Sequence, residues 1–369
     1  LIFFPVWCII NKKQAVILIG GLIMSTLMEK EIFEQAKVLS DCLAYNGRAL
    51  DELVDIINKG DFAGIMIAAR GSSDNAGTYF KYAMESLTGI PVALAAPSVV
   101  TMYGKELKLK NYLVIGVSQS GAAEDVMAVL SEAKRQGAFT AALTNNLGSK
   151  MASMADCHLY CNAGEEKSVA ATKTFLSQMY LLGQLAARAA GDAEVIRELD
   201  AIPRNLEKVY ALNDHIKGLA ESIKGISWMI VLARGLNYAV AQETSLKLQE
   251  TCYVNARPYA ASDFLHGPFA LVDENATLLL IAPSGPSQGD MLKLKERILA
   301  AEGKAIIYTD KEEFAQGCMA SAILPVSGSD YANPFYNALV SQLLACNLSL
   351  ARGLNPDSPR GLKKVTITK

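Results

Sequence analysis

Three strand-like segments of this chain recur at an almost constant step. AGIMIAARG (63–71) returns as ISWMIVLARG (226–235), with Gly71 and Gly235 164 residues apart. LVIGVSQSG (113–121) returns as TLLLIAPSG (277–285) at the same step, and the runs that open at Gly137 and Gly303 repeat at 166. Such a period is too long for a solenoid, so a unit of domain size is present twice. Short apolar runs alternate with helical patterns throughout, the mark of a parallel sheet covered on both faces. The expected fold is α/β, two tandem doubly wound (flavodoxin-like) parallel-sheet units, and 369 residues suit two domains of about 150.

The junction is expected in the charged stretch 191–205, broken by Pro203, which gives units over 28–202 and 203–369. Ahead of them lie two apolar runs separated by Lys12 and Lys13. Each is shorter than the roughly 18 residues of a spanning helix, and neither has the basic-then-apolar order of a signal peptide. Met24 and Met28 both suit the start of a soluble chain. Residues 1–27 are therefore expected to lie outside the fold, as a leader of upstream origin, with no membrane contact.

Charge narrows the function. Lys plus Arg number 35 against 37 Asp plus Glu, a net charge of −2. That balance carries no electrostatic footprint for nucleic acid, and two Trp supply few stacking platforms. A small-molecule ligand is the expected partner. The seven cysteines are scattered and form no Cys-x-x-Cys pair, which fits reduced thiols in a cytoplasmic protein. Cys157, His158 and Cys161 lack further ligands nearby, so they are read as core residues, and no metal or other cofactor is expected.

Ser118-Gln119-Ser120-Gly121 lies between an apolar strand and a helix. Ligands of open α/β sheets bind at such strand ends, where helix N-termini present free N–H groups. Two serines, an amide and a glycine there make a cup of neutral donors suited to phosphate; the same residues also suit a plain helix cap. Gly71-Ser72-Ser73 ends the first strand and is open to the same two readings. The second unit has Ala282-Pro283-Ser284-Gly285 instead, one hydroxyl and one N–H poorer, so one phosphate site per chain is expected. Glu243, Lys247 and Glu250 share a face of the helix after the repeated ARG strand. Such a triplet reads either as a salt-bridged surface or as chemistry near the strand ends. His266, in the loop that follows, adds a group able to exchange protons near neutral pH.

These segments together identify the chain as a member of the SIS (sugar isomerase) superfamily, similar to the isomerase half of glucosamine-6-phosphate synthase. The resemblance runs from Met28 to Lys369 and is carried by ARGSS (69–73), VSQSG (117–121), EEKSVAATKTF (165–175), ETSLKLQETCYVNARPYAASDFLHGP (243–268) and SPRGLKKVTIT (358–368). It implies two SIS units in which Ser73, Ser118, Gln119 and Ser120 hold a sugar phosphate and Val169 lines the site. It implies Glu250 as the proton-shuttling glutamate, His266 as the ring-opening histidine, Lys247 as a helix lysine of the site, and Lys364 as a tail lysine able to form a Schiff base. It also implies a homodimer in which His266 reaches the neighbouring subunit's site, with the apolar helices of both repeats as lesser support.

Two departures shift the expected activity. The synthase's threonine after the cup glycine is Ala123 here, and its Cys-Gly-Thr-Ser is Arg70-Gly71-Ser72-Ser73, a form that resembles stand-alone amino-sugar deaminases. No glutaminase segment is found among these residues, so glutamine-driven amination is not expected. The expected reaction converts glucosamine 6-phosphate and water to fructose 6-phosphate and ammonia. The alternatives are a fructosamine 6-phosphate deglycase, a galactosamine-phosphate deaminase, a plain aldose–ketose isomerase, or a non-catalytic phosphosugar sensor.

Overall fold

A computed structural model of the chain describes residues 25–60 and 62–364. Its first sheet comprises β1 (Gly64–Ala68), β2 (Val92–Leu94), β3 (Tyr112–Ser118), β4 (Thr140–Thr144) and β5 (Cys157–Tyr160), in the order β2-β1-β3-β4-β5. The second comprises β6 (Trp228–Ala233), β7 (Asn255–Ala260), β8 (Thr277–Ile281), β9 (Lys304–Thr309) and β10 (Ala320–Ile323). Its order, β7-β6-β8-β9-β10, is the same topology, and every pairing in both sheets is parallel. The expected pair of doubly wound α/β units is what forms.

The helices of the first half are α1 (Leu27–Phe33), α2 (Gln35–Lys59), α3 (Ser72–Thr88), α4 (Ser98–Thr101), α5 (Glu124–Arg135), α6 (Lys150–Met154) and α7 (Lys173–Ala190). Those of the second are α8 (Ala193–Tyr210), α9 (Asn213–Ser222), α10 (Tyr238–Cys252), α11 (Ala261–Leu265), α12 (Gln288–Ala300) and α13 (Asn333–Ala351). The central strands β3, β4, β8 and β9 are buried almost end to end, as continuous apolar runs covered on both faces must be. Helices α7 and α13 are buried nearly all round, the state of a helix apolar on every side. α7 packs on α2 and α3, and α13 on α8, α9 and α10. Their apolar surface is thus satisfied inside one chain and gives no support to the expected homodimer.

Two local expectations are corrected. Pro203 does not break the stretch 191–205: Asp192 caps α8 through the N–H groups of Glu194 and Val195, and the helix runs through Pro203. Only one ladder donor is lost there, while Leu199, Ile202, Leu206 and Val209 keep a buried stripe that holds the helix in place. Residues 1–24 of the expected leader lie outside the described residues. Thr26 and Leu27, counted with that leader, belong to the fold. Thr26 Oγ1 caps α1 by accepting from Glu29 N (3.0 Å), and Asp357 accepts from Leu27 N and Met28 N at 2.9 and 2.8 Å. Among the described residues no helix is long and apolar enough to cross a membrane.

Candidate active site

The chain leaves β1 toward β2 on one side and re-enters at β3 on the other, so the crevice between the carboxyl ends of β1 and β3 is the switch point where ligands of such sheets bind. Ser118 ends β3 and is buried, Gln119 and Ser120 are half-buried, and Gly121 closes the turn with φ 63°. Only glycine fits there. A Cβ on Gly121 would also stand 2.3 Å from Ser149 Oγ. Ser120 Oγ accepts from Ala122 N (3.3 Å), the local turn that the capping reading anticipates. Helix α5 starts at Glu124, and its cap residue, Ala123, supplies no side-chain hydrogen bond. The hydroxyl that the family's threonine would bring is therefore missing at a helix N-terminus.

On the facing edge, Gly71 (φ 55°) turns the chain from β1 into α3 and places Ser73 buried in the first helical turn. Arg70 reaches across the switch point: its Nε donates to Asp125 Oδ2 at 2.7 Å, and the Asp125 side chain is only 2% exposed. The crevice is thus bridged by a charge pair that the motif reading does not include.

Ser72 and Asn75 connect this edge to the second unit. Ser72 Oγ donates to Glu243 Oε1 (2.9 Å) and Asn75 Nδ2 to Glu243 Oε2 (2.8 Å). Lys247 Nζ lies 3.3 Å from Ser72 Oγ, 3.4 Å from Glu243 Oε1 and 2.5 Å from Glu250 Oε2. The side chains of Glu243 and Lys247 are 2% and 1% exposed and that of Glu250 is 22% exposed. A solvated salt-bridged face is excluded by this burial. Burial pushes the Glu243 carboxyl up, against the attraction of Lys247. For Lys247 burial works against the ammonium, but Glu243 and Glu250 outweigh it and hold the amine above its ordinary value. Lys247 is a fixed cation, and Glu250 is the one of the two carboxylates that solvent reaches.

The tail lysine sits on a third element. Residues 168–172 form a largely buried loop ahead of α7. Glu166 fixes it by accepting from Thr172 N (3.0 Å), Thr174 N (3.0 Å) and Thr174 Oγ1 (2.7 Å), and Glu31 accepts from Lys167 N, Ser168 N and Ser168 Oγ. Lys364 Nζ donates to Glu166 Oε2 (2.6 Å) and to Ser168 O (2.8 Å). Burial works against the Glu166 charge, but Lys364 and the backbone N–H groups outweigh it and lower its pKa. Val169 is half-buried in the same loop and donates to Asp357 O (3.2 Å). Asn145 ties the loop to the cup: its N donates to Gln119 O (2.9 Å), its Nδ2 to Gly164 O, and its Oδ1 accepts from Ala163 N.

Lys247 and Glu250 touch each other, Lys364 is bonded to the loop that carries Val169, and Asn145 ties that loop to Gln119, while Ser73, Ser118 and Ser120 stand at the same crevice by their places at the ends of β1 and β3. His266 lies apart. It is exposed at the end of α11, and its backbone N–H donates to Asp263 O (3.0 Å). Sequence reasoning gave no contact role to Asp125, Asn75, Glu31 or Glu166, read Arg70 only as a departure from the synthase, and read Ser72 only at the phosphate edge. For Glu166 a signal existed, an acidic residue just ahead of a Thr-rich helix start; the rest depend on partners far along the chain. Cys157 and Cys161 are buried core thiols, and burial pushes Cys157 to about 11. No cluster of metal-ligating side chains occurs among the described residues.

A family model described as the SIS domain matches residues 63–188 and again 225–352. The chain belongs to the SIS domain family. It is 34% identical over 343 residues to the isomerizing glutamine–fructose-6-phosphate aminotransferase of Aquifex aeolicus, covering 92% of this chain and 57% of that protein. The chain thus spans little more than half the length of that relative. Among solved structures, the C-terminal domain of glucosamine-fructose-6-phosphate aminotransferase from Francisella tularensis superposes with a TM-score of 0.82 at 26% identity, over 91% of this chain and 99% of that one. Glucosamine-6-phosphate deaminase from Thermotoga maritima superposes at 0.73 with 21% identity over 93% and 100%, a likeness of fold. The resemblance drawn from the motifs holds: two SIS repeats, homologous to the isomerase part of the aminotransferase.

Proposed function

We propose that this SIS protein is a phosphosugar isomerase that deaminates an amino-sugar phosphate, converting glucosamine 6-phosphate and water to fructose 6-phosphate and ammonia. The observation that carries the reading is the Glu243–Lys247–Glu250 cluster of the second unit, hydrogen-bonded to Ser72 beside the switch-point crevice of the first. Phosphate held by Ser73, Ser118, Gln119 and Ser120 fixes the sugar by its unreactive end, and that remote binding orients C1 and C2. Glu250 takes the proton from one carbon and returns it to the other; a carboxylate positioned this way is a competent base for a carbon acid next to an imine or carbonyl. Lys247, charged and buried, stabilises the negative charge that develops on the enolamine. Water then adds to the C2 imine, ammonia leaves, and the ketose remains.

Lys364 is tied to Glu166, so Schiff-base formation with the open-chain ketose requires its amine to leave that carboxylate. His266, exposed on α11, is assigned to ring opening in the neighbouring subunit of a homodimer. Mixing inactive Glu250→Gln and His266→Ala chains is expected to restore activity; exchange of subunits without recovery contradicts the shared site. The identity with aminotransferases favours a second reading, the isomerase part of an enzyme that aminates fructose 6-phosphate. A panel of amino-sugar phosphates separates the two. Ammonia released from glucosamine 6-phosphate supports deamination, while activity confined to fructose 6-phosphate and an ammonia donor supports the second.

A further inference from the structure

The two switch points can be overlaid element by element. Gly235 and Gly285 follow β6 and β8 as Gly71 and Gly121 follow β1 and β3, and Asp310 follows β9 as Asn145 follows β4. The loop ahead of α13 corresponds to the loop ahead of α7 that carries Val169. What fills the space differs. A Cβ on Gly71 would meet nothing within 4 Å and one on Gly121 would meet the uncharged Ser149 Oγ at 2.3 Å, whereas one on Gly235 would lie 3.6 Å from Asp330 Oδ2 and one on Gly285 2.8 Å from Asp330 Oδ1. Asp330 comes from the loop ahead of α13, and its carboxylate stands over both glycines. Its Oδ1 is buried and has no hydrogen-bond partner among the described residues. Asp310 Oδ1 takes the Ser284 N–H at 2.7 Å, a donor the cup would otherwise offer a ligand. Asn333 holds the loop down, its Nδ2 donating to Ser284 O (2.9 Å) and Gly328 O (2.8 Å) and its Oδ1 accepting from Gly328 N (2.9 Å).

We propose that Asp330, with Asp310, closes the second unit's cup to anions, so that a phosphosugar is admitted to the first unit alone. Loss of donors at Ala282 and Pro283 weakens the duplicated site, and the two carboxylates then occupy and repel what remains. A phosphate dianion entering there would displace one carboxylate and face both, which disfavours it relative to the first cup, where Asn145 stands in the place of Asp310. The inference rests on the first unit holding the phosphate, but its test does not.

The test counts inorganic phosphate bound per chain by equilibrium dialysis in two variants. Ala282→Ser/Pro283→Gln restores the Ser-Gln-Ser-Gly sequence and leaves both carboxylates. The second variant adds Asp310→Asn and Asp330→Ser. The expected result is no gain over wild type in the first and one additional phosphate per chain in the second. A gain in the first variant, or none in the folded second, overturns the proposal. If the second variant fails to fold, Ala282→Ser/Pro283→Gln/Asp330→Asn decides: millimolar phosphate must raise its Tm more than that of Ala282→Ser/Pro283→Gln, and an equal rise overturns the proposal. A wild type that binds no phosphate counts against the proposed function, not against this inference, which is read only from the differences.

Discussion

The two units share a scaffold and differ at their strand ends. Each has the same strand order, and each bridges its switch point with an arginine after the first strand and an aspartate in the first turn of the helix after the third. The pairs are Arg70–Asp125 and Arg234–Asp290, both at 2.7 Å. What recurs in both units, including the one without Ser-Gln-Ser-Gly, belongs to the scaffold. What occurs once is what the proposed function uses: Ser118-Gln119-Ser120 in the first unit, and the buried Glu243–Lys247–Glu250 cluster in the second. Under that proposal one half holds the ligand and the other acts on it.

The largest effect that tests this division is on Glu250. Glu250→Gln keeps the shape and a hydrogen-bonding oxygen but cannot take a proton, so kcat is expected to fall by about 100-fold or more while phosphosugar binding survives. Turnover near wild type in a folded variant would return the cluster to a structural role. Paired serines give the next effect. Ser120→Ala is expected to raise KM by about tenfold with kcat nearly unchanged, the scale of a lost hydrogen bond to a charged group, whereas Ser284→Ala should leave both constants alone. Equal effects at the two serines would erase the distinction between the cups.

The duplicated charge pairs differ in burial, and stability measures the difference. Arg70→Ala leaves Asp125 buried and unpaired, at a cost of about 2 kcal/mol once the half-exposed arginine is allowed for. Asp290 is half-exposed, so Arg234→Ala should cost about 0.5 kcal/mol or less in urea unfolding. A smaller effect concerns acid. Glu166 has its carboxyl pKa lowered on folding, so its contribution is full above the ordinary carboxylate range and is lost as pH falls through the lowered value. Lys364→Met removes the cation that lowers it, and the acid limb of the stability profile is expected to move to higher pH. An unmoved limb would mean that the backbone N–H groups alone hold the charge.

Legibility followed locality. The central strands were readable because an apolar run covered on both faces needs only its own residues to declare itself, and the repeat doubled the signal. β7 and β10 escaped. β7, with Arg257 and Pro258, is an edge strand, where proline is tolerated and the apolar pattern lapses. The start of α7 is not legible locally, because Ser168 to Ala171 look helical in isolation, while Glu31 and Glu166 hold them as a loop through partners elsewhere in the chain. Glu243, Lys247 and Glu250 were legible as a face, but their burial was not, since Ser72 and Asn75 cover them from the other unit.

The central claim is that phosphate sits in the first unit and the reacting carbons at Glu250 of the second. A crystal structure of the Glu250→Gln variant with fructose 6-phosphate tests it most directly. The account expects the phosphate within hydrogen-bond reach of Ser73, Ser118, Gln119 and Ser120, with C1 and C2 facing residue 250. A phosphate at Ser284 and Gly285, or a sugar whose C1 and C2 point away from residue 250, would contradict it.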